Sequence, residues 1–482
     1  MKVNRWFGLI ATVLLFVTTL QPARVLAETE RTIADESIYD LLVDRFNNGD
    51  GQNDIDVNSQ DSSAFNGGDF LGISLRLQHI IDMGFTTISL GPVFQTESYD
   101  GSKVLDYTKL EPHFGTDEDF VGMLKEIHDN KLLAIADFPL GGVSVNHVWA
   151  NEGTAKMIPS SNGTIDWDGT DVDTQKRLKE AVVNFVETYK LDGVRLTKLN
   201  KIDSQFLNDI IAAVKVAKPG IYVLTNEESD ADFDAMPNIE KMNALRHSFV
   251  KFDADTSPLA LFTNESNKEL VQFDELTGAR YTYDIVEARM FPPTRWKLAA
   301  TALFTMPGTP IMPYGTEIAV NGGKAPDSHQ LLNFKTEMEL KDFIGNMNTL
   351  RNKSEAFRTG DFEVLHNEGG FTVFKRSSDK ETWIIALNNS TKTANFEIPK
   401  EVIGENKKLR GVLDGDRVNE SKDGKFRVVL ERELAEIYIA DEDKGFNTAY
   451  LIASIMVYVL FLGFLFTVWR KGRKSRKDGV TK

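Results

Sequence analysis

Two kinds of hydrophobic segment alternate over the first 350 residues. Short apolar runs typical of buried strands occur at 86–94, 131–140, 191–199 and 220–228. Segments with apolar residues at helical spacing lie between them or beyond them, at 71–84, 116–130, 203–217 and 295–306. Apolar strands that alternate with amphipathic helices predict a parallel sheet covered by helices. We therefore expect an α/β fold, a (β/α)8 TIM barrel over 28–354, with a short inserted domain at about 139–170.

The pattern changes near residue 355. From there to 440, apolar and polar residues alternate, and the alternation is broken by turn sequences such as Glu368-Gly369-Gly370 and Asn388-Asn389. This period of two residues predicts an antiparallel β-sandwich as a C-terminal domain over 355–440.

Both ends of the chain carry membrane signals. Residues 1–27 combine Lys2 and Arg5 with an apolar run and small residues at Val25 and Ala27, which predicts a secretory signal peptide. Residues 448–469 form a run of 22 residues without a charge. This run is long enough for one transmembrane helix. The basic tail at 470–482 favours a cytoplasmic C-terminus. We expect a single-pass protein of the cell membrane with its ectodomain outside the cell.

The charge of the chain narrows the choice of partner. The net charge is −16, and without the leader and the tail it is −25, from 45 basic and 70 acidic residues. Such a surface repels nucleic acid and anionic headgroups, so we expect no nucleic-acid partner. The chain has no cysteine, which excludes disulfides and thiolate metal sites. Calcium and neutral sugars are the more natural ligands.

Four motifs carry a family resemblance. They are "IYDLLVDRFNNGDGQND", "FNGGDFLGISLRLQHIIDMGFTTISLGPVF", "DYTKLEPHFGTDEDFVGMLKEIHDNKLLAIADF" and "MPGTPIMPYGTEI". From Ser37 to about Ala440 the chain resembles the α-amylase family, glycoside hydrolase family 13, with the motifs in the family's order. The resemblance implies a barrel that acts on α-glucans in carbohydrate metabolism.

The same resemblance places the catalytic positions. Retaining members use a carboxylate nucleophile and a carboxylic acid about 5 Å apart. Here the nucleophile position is occupied by Thr197, a neutral hydroxyl that cannot readily stabilise an oxocarbenium-like charge. Glu227 fits the acid/base position, and Leu276 falls at the third-acid position. Three residues match substrate-binding positions of the family: Tyr99, Asp137 and Arg195.

Other positions that grip the sugar in the family are also changed. Gly141 and Gly142 stand where the family has an Asn-His pair, and Asp100 and Ser102 replace a sugar-contacting histidine and a stacking tyrosine. Because the scaffold motifs beside them remain readable, we expect a fold that was kept while its hydrolase chemistry was lost, a pseudoenzyme.

A calcium site is implied by the resemblance near the N-terminus. Carried over position by position, its ligands are Asn48, Asp50, Asn53, Asp54, the carbonyl of Gly67, and Asp69. Carboxylate, amide and carbonyl oxygens are the hard ligands that calcium takes.

Three functions remain open from the sequence. The first is a cell-surface protein that binds an α-glucan or another glycan without hydrolysing it. The second is an active hydrolase or transglycosidase with a displaced nucleophile, for which Asp203, Asp230 and Asp274 lie near strand ends. The third is a scaffold for another membrane protein. Phe94 and Trp149 could line a sugar groove or pack in the core.

Overall fold

The computed structural model describes residues 31–160, 163–199, 202–336, 338–443 and 448–478. The predicted signal peptide at 1–27 lies outside the described residues.

Eight parallel strands form the barrel. They are β1 (Ile38–Asp40), β2 (Thr87–Ser89), β3 (Leu133–Pro139), β4 (Gly193–Thr197), β5 (Tyr222–Thr225), β6 (Met236–Pro237), β7 (Glu269–Val271) and β8 (Thr309–Pro313). Their order in the sheet is β5-β4-β3-β2-β1-β8-β7-β6, and a parallel bridge between Leu224 and Ala235 joins β5 to β6. The predicted TIM barrel is confirmed. The strands are buried on both faces, as parallel strands under helices are.

Helices cover the outside of the barrel. The longer ones are Phe70–Asp82, Asp117–Asp129, Val172–Tyr189, Ser204–Ala217, Ile239–Phe249, Pro292–Thr305 and Glu339–Lys353, and Tyr281–Glu287 is a shorter one. Several begin at acidic or hydroxyl caps; Asp171, for example, accepts the N–H of Thr174.

The connection between β5 and β6 has no helix. Residues 226–235 form a short loop. The side chain of Asp234 connects this loop to β5 and to the preceding helix. Its carboxylate accepts the Val223 N–H at 2.7 Å and pairs with Lys215 on the helix after β4. The barrel therefore has no covering helix between β5 and β6. The sequence pattern did not predict this.

The segment after β3 is a small insertion, as expected. It contains a three-stranded antiparallel sheet of Val143–Ser144, Met157–Pro159 and Thr164–Trp167, and the short helix Val148–Glu152. A hairpin of Phe94–Thr96 and Val104–Leu110 lies after β2. Aromatic rings of Tyr107, Trp149 and Trp167 pack together between the hairpin and the insertion.

The C-terminal domain is antiparallel. Its strands are β9 (Asp361–Glu368), β10 (Phe371–Ser377), β11 (Thr382–Asn388), β12 (Ala394–Pro399), β13 (Lys407–Gly411), β14 (Arg417–Val418), β15 (Lys425–Leu430) and β16 (Leu434–Glu442). Six of them form a sheet in the order β9-β10-β11-β16-β13-β14, and β12 pairs with β15. A separate core that includes Ile384, Ile398 and Phe426 lies between the two sheets.

The last described element is the helix Thr448–Asp478. Its 22-residue part Tyr450–Lys471 has a mean hydropathy of 2.5 and is not buried by the rest of the chain. By length and composition, it could cross a membrane.

Candidate functional site

The carboxyl ends of the barrel strands bring the predicted site residues together. Arg195 on β4 reaches across the barrel axis to two carboxylates. Its Nε and Nη2 donate to both oxygens of Asp137 at 2.7 and 2.9 Å, and Nη2 also donates to Asp40 at 2.9 Å. All three side chains are nearly completely buried. The sequence prediction contained Asp137 and Arg195 but missed Asp40, which stands in the first-strand motif as "IYD".

The Arg195 guanidinium is held in its charged form. Burial opposes its charge, but the carboxylates of Asp137 and Asp40 raise the pKa of Arg195 above its ordinary value. Burial, in contrast, raises the pKa of Asp137, against the opposing effect of Arg195. The two carboxylates that bind Arg195 therefore come from β1 and β3.

Thr197 ends β4 and is buried beside this pair. Its neighbour across the sheet is Pro139 on β3, and the Thr197 carbonyl accepts the Leu140 N–H at 2.8 Å. The next residue, Lys198, has a φ of 58°, the left-handed region that L-residues other than glycine adopt at a cost. The chain therefore turns sharply directly after the nucleophile position.

Glu227 stabilises that turn. Its Oε1 accepts the N–H of Lys198 at 2.6 Å and that of Leu199 at 3.3 Å. Its own N–H is held by the Thr225 hydroxyl at 3.2 Å. The carboxylate at the acid/base position is thus engaged with the backbone behind Thr197, in a role that needs no substrate.

The third-acid region contains a buried ion pair. Asp274 accepts hydrogen bonds from Arg280, at 2.7 to 3.1 Å, and from the Tyr281 N–H and the Thr316 hydroxyl at 2.7 and 2.6 Å. Against the effect of burial, the charge of Arg280 and these donors lower the pKa of Asp274. Both oxygens of this carboxylate accept hydrogen bonds, so Asp274 is not a free acid that could act as a displaced nucleophile. Leu276 occupies the third-acid position without any carboxyl group.

Tyr99 is buried next to the third-acid region, at 8% exposure. Its hydroxyl bonds to Nδ1 of His329 at 2.9 Å, and His329 Nε2 contacts the Leu276 carbonyl at 2.6 Å. The Arg45 guanidinium lies over the Tyr99 ring, 3.9 Å from its centroid. Burial lowers the pKa of His329, so the ring is neutral at pH 7: Nδ1 accepts from Tyr99 and Nε2–H donates to Leu276. His329 carried no motif in the sequence and was not predicted.

Gly141 and Gly142, at the family's Asn-His positions, lie against the insertion and the turn after β4. A Cβ on Gly141 would lie 2.8 Å from Asp166 Oδ1 and 3.2 Å from the Lys198 carbonyl. Gly142 has a φ of 61° and donates its N–H to Asp166 at 2.8 Å. The insertion therefore closes on the turn after β4 where larger side chains would have stood.

The remaining sequence candidates have structural roles. Phe94 and Trp149 are 1% and 8% exposed and pack in the aromatic core, where they form part of the wall of a pocket next to the helix Val172–Tyr189. Asp203 caps the helix Ser204–Ala217 by accepting the Phe206 N–H at 2.9 Å. Asp230 is exposed in the loop between β5 and β6. Neither acid lies in the group around Arg195.

The predicted calcium ligands converge in one loop. Asn48 Nδ2 donates to both carboxylate oxygens of Asp54, at 2.9 and 3.1 Å. Gly67, with a φ of 93°, approaches both so closely that a Cβ would lie 2.7 Å from Asp54 Oδ1. The Asn53 Oδ1 is buried without a hydrogen-bond partner among the described residues. An unpaired buried acceptor is costly, and a cation would satisfy it.

Asp69 closes the same loop from the helix Phe70–Asp82. Its carboxylate accepts the N–H groups of Gly49, Asp50 and Gly72 at 2.5 to 3.1 Å, and burial raises its pKa. Within the described ranges, no three acidic or histidine side chains form a metal-binding group. A calcium ion here would depend on amide and carbonyl oxygens as well. The oxygen donors fit calcium in kind.

Comparison with known proteins follows the same two domains. Residues 40–190 match the model of the α-amylase catalytic domain, and residues 360–438 match that of the α-amylase C-terminal domain. A solved Anoxybacillus α-amylase is 34% identical with a TM-score of 0.81, and the match covers 86% of this chain and 100% of that one. The α-amylase of Geobacillus thermoleovorans, solved in complex with acarbose, is 32% identical with a TM-score of 0.79 over the same shares.

A curated relative extends the comparison. The cyclomaltodextrinase of Thermoanaerobacter pseudethanolicus is 26% identical over 407 residues, 74% of this chain and 71% of that protein. The barrel with its polar site at the carboxyl ends of the strands, followed by an antiparallel domain, is the architecture that this chain shares with these α-amylases. The chain belongs to the α-amylase family, glycoside hydrolase family 13.

Proposed function

We propose that this protein is a membrane-anchored α-amylase homologue that binds α-glucan in its barrel without hydrolysing it. One observation carries the proposal. The strand that should present the nucleophile ends in Thr197, and the arginine two residues before it is bound by Asp40 and Asp137. A hydroxyl without an adjacent base does not supply the charge that an oxocarbenium-like transition state requires.

The surroundings of Thr197 support the same conclusion. Glu227 is bound to the backbone of the turn after β4, and Asp274 is bound by Arg280. Both carboxylates that could act in hydrolysis therefore already have partners in the protein. The alternative of an active enzyme with a displaced nucleophile loses its most buried candidate, since Asp274 has no free oxygen.

An α-glucan is the ligand that the relatives favour. The similar amylase of Geobacillus thermoleovorans is complexed with acarbose. In this chain the Tyr99 ring is 8% exposed, its hydroxyl is bound by His329 and Arg45 covers one face, so a sugar would contact its remaining surface. An aromatic ring beside polar groups is the arrangement that holds a sugar face.

The test is calorimetric and uses the full chain. The protein is placed in lipid nanodiscs, because a maltoside detergent would itself present a glucose disaccharide. Maltoheptaose is titrated in the presence of calcium, and the same sample is then assayed for new reducing ends. We expect saturable heat without released sugar. Hydrolysis that Glu227→Gln abolishes would refute the proposal.

A matched pair of variants locates the site. Tyr99→Ala should weaken maltoheptaose binding about tenfold, since one ring contact is worth about 1.4 kcal/mol. Phe291→Ala removes an aromatic ring that is 69% exposed in a groove beside the C-terminal domain. It should leave the affinity unchanged. Equal loss in both variants, or no binding by the wild type, would favour a protein partner in the membrane instead.

The anchor is part of the proposal. The helix Thr448–Asp478 carries no charged residue over 448–469, and basic residues follow from Arg470 onwards. We place the barrel outside the cell and the basic tail in the cytoplasm. Protease added to intact cells should degrade the barrel and leave an epitope at the C-terminus protected.

Calcium is proposed as a structural ion of the loop after β1. Asn48, Asp50, Asn53, Asp54, Gly67 and Asp69 would hold it, and the ion would satisfy the orphaned Asn53 oxygen. Its contribution would be to fix the loop that leads into the helix Phe70–Asp82, away from the sugar-binding groups.

A further inference from the structure

Three arginines meet on the side of the barrel opposite to the candidate site. Arg351 lies in the last turn of the helix Glu339–Lys353, Arg358 lies on the short helix Glu355–Thr359, and Arg376 lies on β10 of the C-terminal domain. Arg351 donates to the carbonyl of Gly308 at 3.2 Å, directly before β8 begins. The cluster therefore lies at the amino ends of the strands, where the barrel meets the C-terminal domain.

Two of these guanidiniums are completely buried without an acidic partner. Arg351 and Arg376 have no measurable exposure, and neither forms an ion pair within the described part of the chain. Their partners are neutral: Arg351 donates to the Ala34 carbonyl at 2.7 Å, and Arg376 donates to the carbonyls of Ala356 and Phe357 at 3.0 and 3.1 Å. Carbonyl dipoles offset only part of a buried positive charge.

Several N–H groups of the cluster remain unused. Nε and Nη1 of Arg351, Nη1 of Arg376 and Nε of Arg358 have no hydrogen-bond partner among the described residues. Each buried donor without an acceptor costs free energy, so a group of them in one cluster requires an explanation.

The nearby carboxylates do not provide one. Asp35 accepts from Arg358 Nη1 at 2.5 Å, and Glu36 pairs with Arg31 at 2.9 Å. Both acids thus already have a cation each. Burial and the charge of a neighbouring arginine together lower the pKa of Arg351 and that of Arg376 to about 9, although the acids Asp35, Glu36 and Asp361 act in the opposite direction.

We propose that this arginine cluster, Arg351, Arg358 and Arg376, binds a small monovalent anion such as chloride between the barrel and the C-terminal domain. Such an anion would accept the unused N–H groups and neutralise charge at once, whereas a water molecule would do only the first. The complete burial of Arg351 and Arg376 favours a monatomic ion over a phosphate or a carboxylate. The ion would fasten the two domains to one another.

The test compares anions at constant ionic strength. The melting temperature of the full chain in nanodiscs is measured while gluconate, a large organic anion, is replaced by chloride. We expect a saturable rise of about 2–4 °C, as for a ligand that binds only the folded state. Chloride-35 NMR of the same sample should show line broadening that bromide displaces.

Variants separate this site from general salt effects. Arg376→Gln should abolish the chloride-dependent rise and the displaceable broadening, and Arg417→Gln, at an exposed position of β14, should retain both. Crystals grown with bromide should show its anomalous signal between the guanidiniums, which decides the question even if Arg376→Gln fails to fold. Equal melting temperatures in both anions, an unaffected Arg376→Gln, or a cluster without bromide would each overturn the proposal and leave water as the occupant.

Discussion

Replacing Glu227 should cost stability instead of activity. In an active amylase the acid/base carboxylate serves the substrate, so its removal abolishes turnover while the fold persists. Here its Oε1 accepts the N–H groups of Lys198 and Leu199 and supports a left-handed residue at Lys198. The two roles predict opposite results for the same substitution.

The magnitude follows from these two hydrogen bonds. A hydrogen bond to a charged group contributes about 1.5–3 kcal/mol, and the 3.3 Å bond to Leu199 adds little. Because Lys198 is exposed, water replaces part of the loss, so we expect Glu227→Ala to lower the free energy of unfolding by about 2 kcal/mol. Glu227→Gln keeps a neutral oxygen and should lose about 1 kcal/mol. Lys198→Gly relieves the positive φ and should restore about 0.5–1 kcal/mol in either background.

Thermal unfolding by circular dichroism and a reducing-sugar assay measure both quantities on one preparation. We expect the melting temperature to fall by about 4 °C in Glu227→Ala, with sugar release at background in every variant. Asp230→Ala is the matched control, since Asp230 is an exposed acid three residues along the same loop, and its change should stay within about 0.5 kcal/mol. An unchanged melting temperature in Glu227→Ala, or wild-type hydrolysis that Glu227→Gln removes, would refute the reasoning.

Three further predictions concern pH, calcium and the nucleophile position. Burial lowers the pKa of His147 to about 4, below its unfolded value of about 6.5, so stability should be lost as pH falls through 6.5, by about 2 kcal/mol at pH 5. His147→Gln should flatten this part of the profile in urea titrations, and an equally steep profile would contradict it. Chelation should lower the melting temperature of the wild type by several degrees but leave Asp50→Ala unaffected; insensitivity of the wild type would exclude the ion. Thr197→Asp should lower stability by about 1–3 kcal/mol, because Arg195 already has two carboxylates, and should release no sugar from maltoheptaose.

The architecture was readable from the sequence because it rests on periodicity. Runs such as 131–140 and 116–130 became β3 and the helix Asp117–Asp129 with ends shifted by one or two residues. Strand β6 was missed since it has only two residues, and its pairing depends on Asp234. A strand of two residues is too short to show a periodic pattern of apolar residues, so it cannot be predicted in this way.

The site was predicted only where family motifs name positions. Thr197 and Arg195 lie on β4, and Asp137 lies on the neighbouring strand β3, directly opposite Arg195. The contacts that decide the chemistry are between residues far apart in the chain: Arg195 with Asp40 and Tyr99 with His329. Pairing across a barrel depends on register and loop course, which single-sequence reasoning does not supply.

Gly141 and Gly142 make it difficult to restore the family's Asn-His pair by substitution alone. A Cβ at the first would lie 2.8 Å from Asp166 Oδ1 and 3.2 Å from the Lys198 carbonyl, so both neighbours would have to shift, and the second has a positive φ that favours glycine. Restoring the sugar-gripping pair would thus require the insertion and the turn after β4 to move together. Single substitutions along the way would each lower stability before any benefit in catalysis appeared. For protein engineering, reactivation should start from transplanted loops after β3 and β4 and not from point mutations.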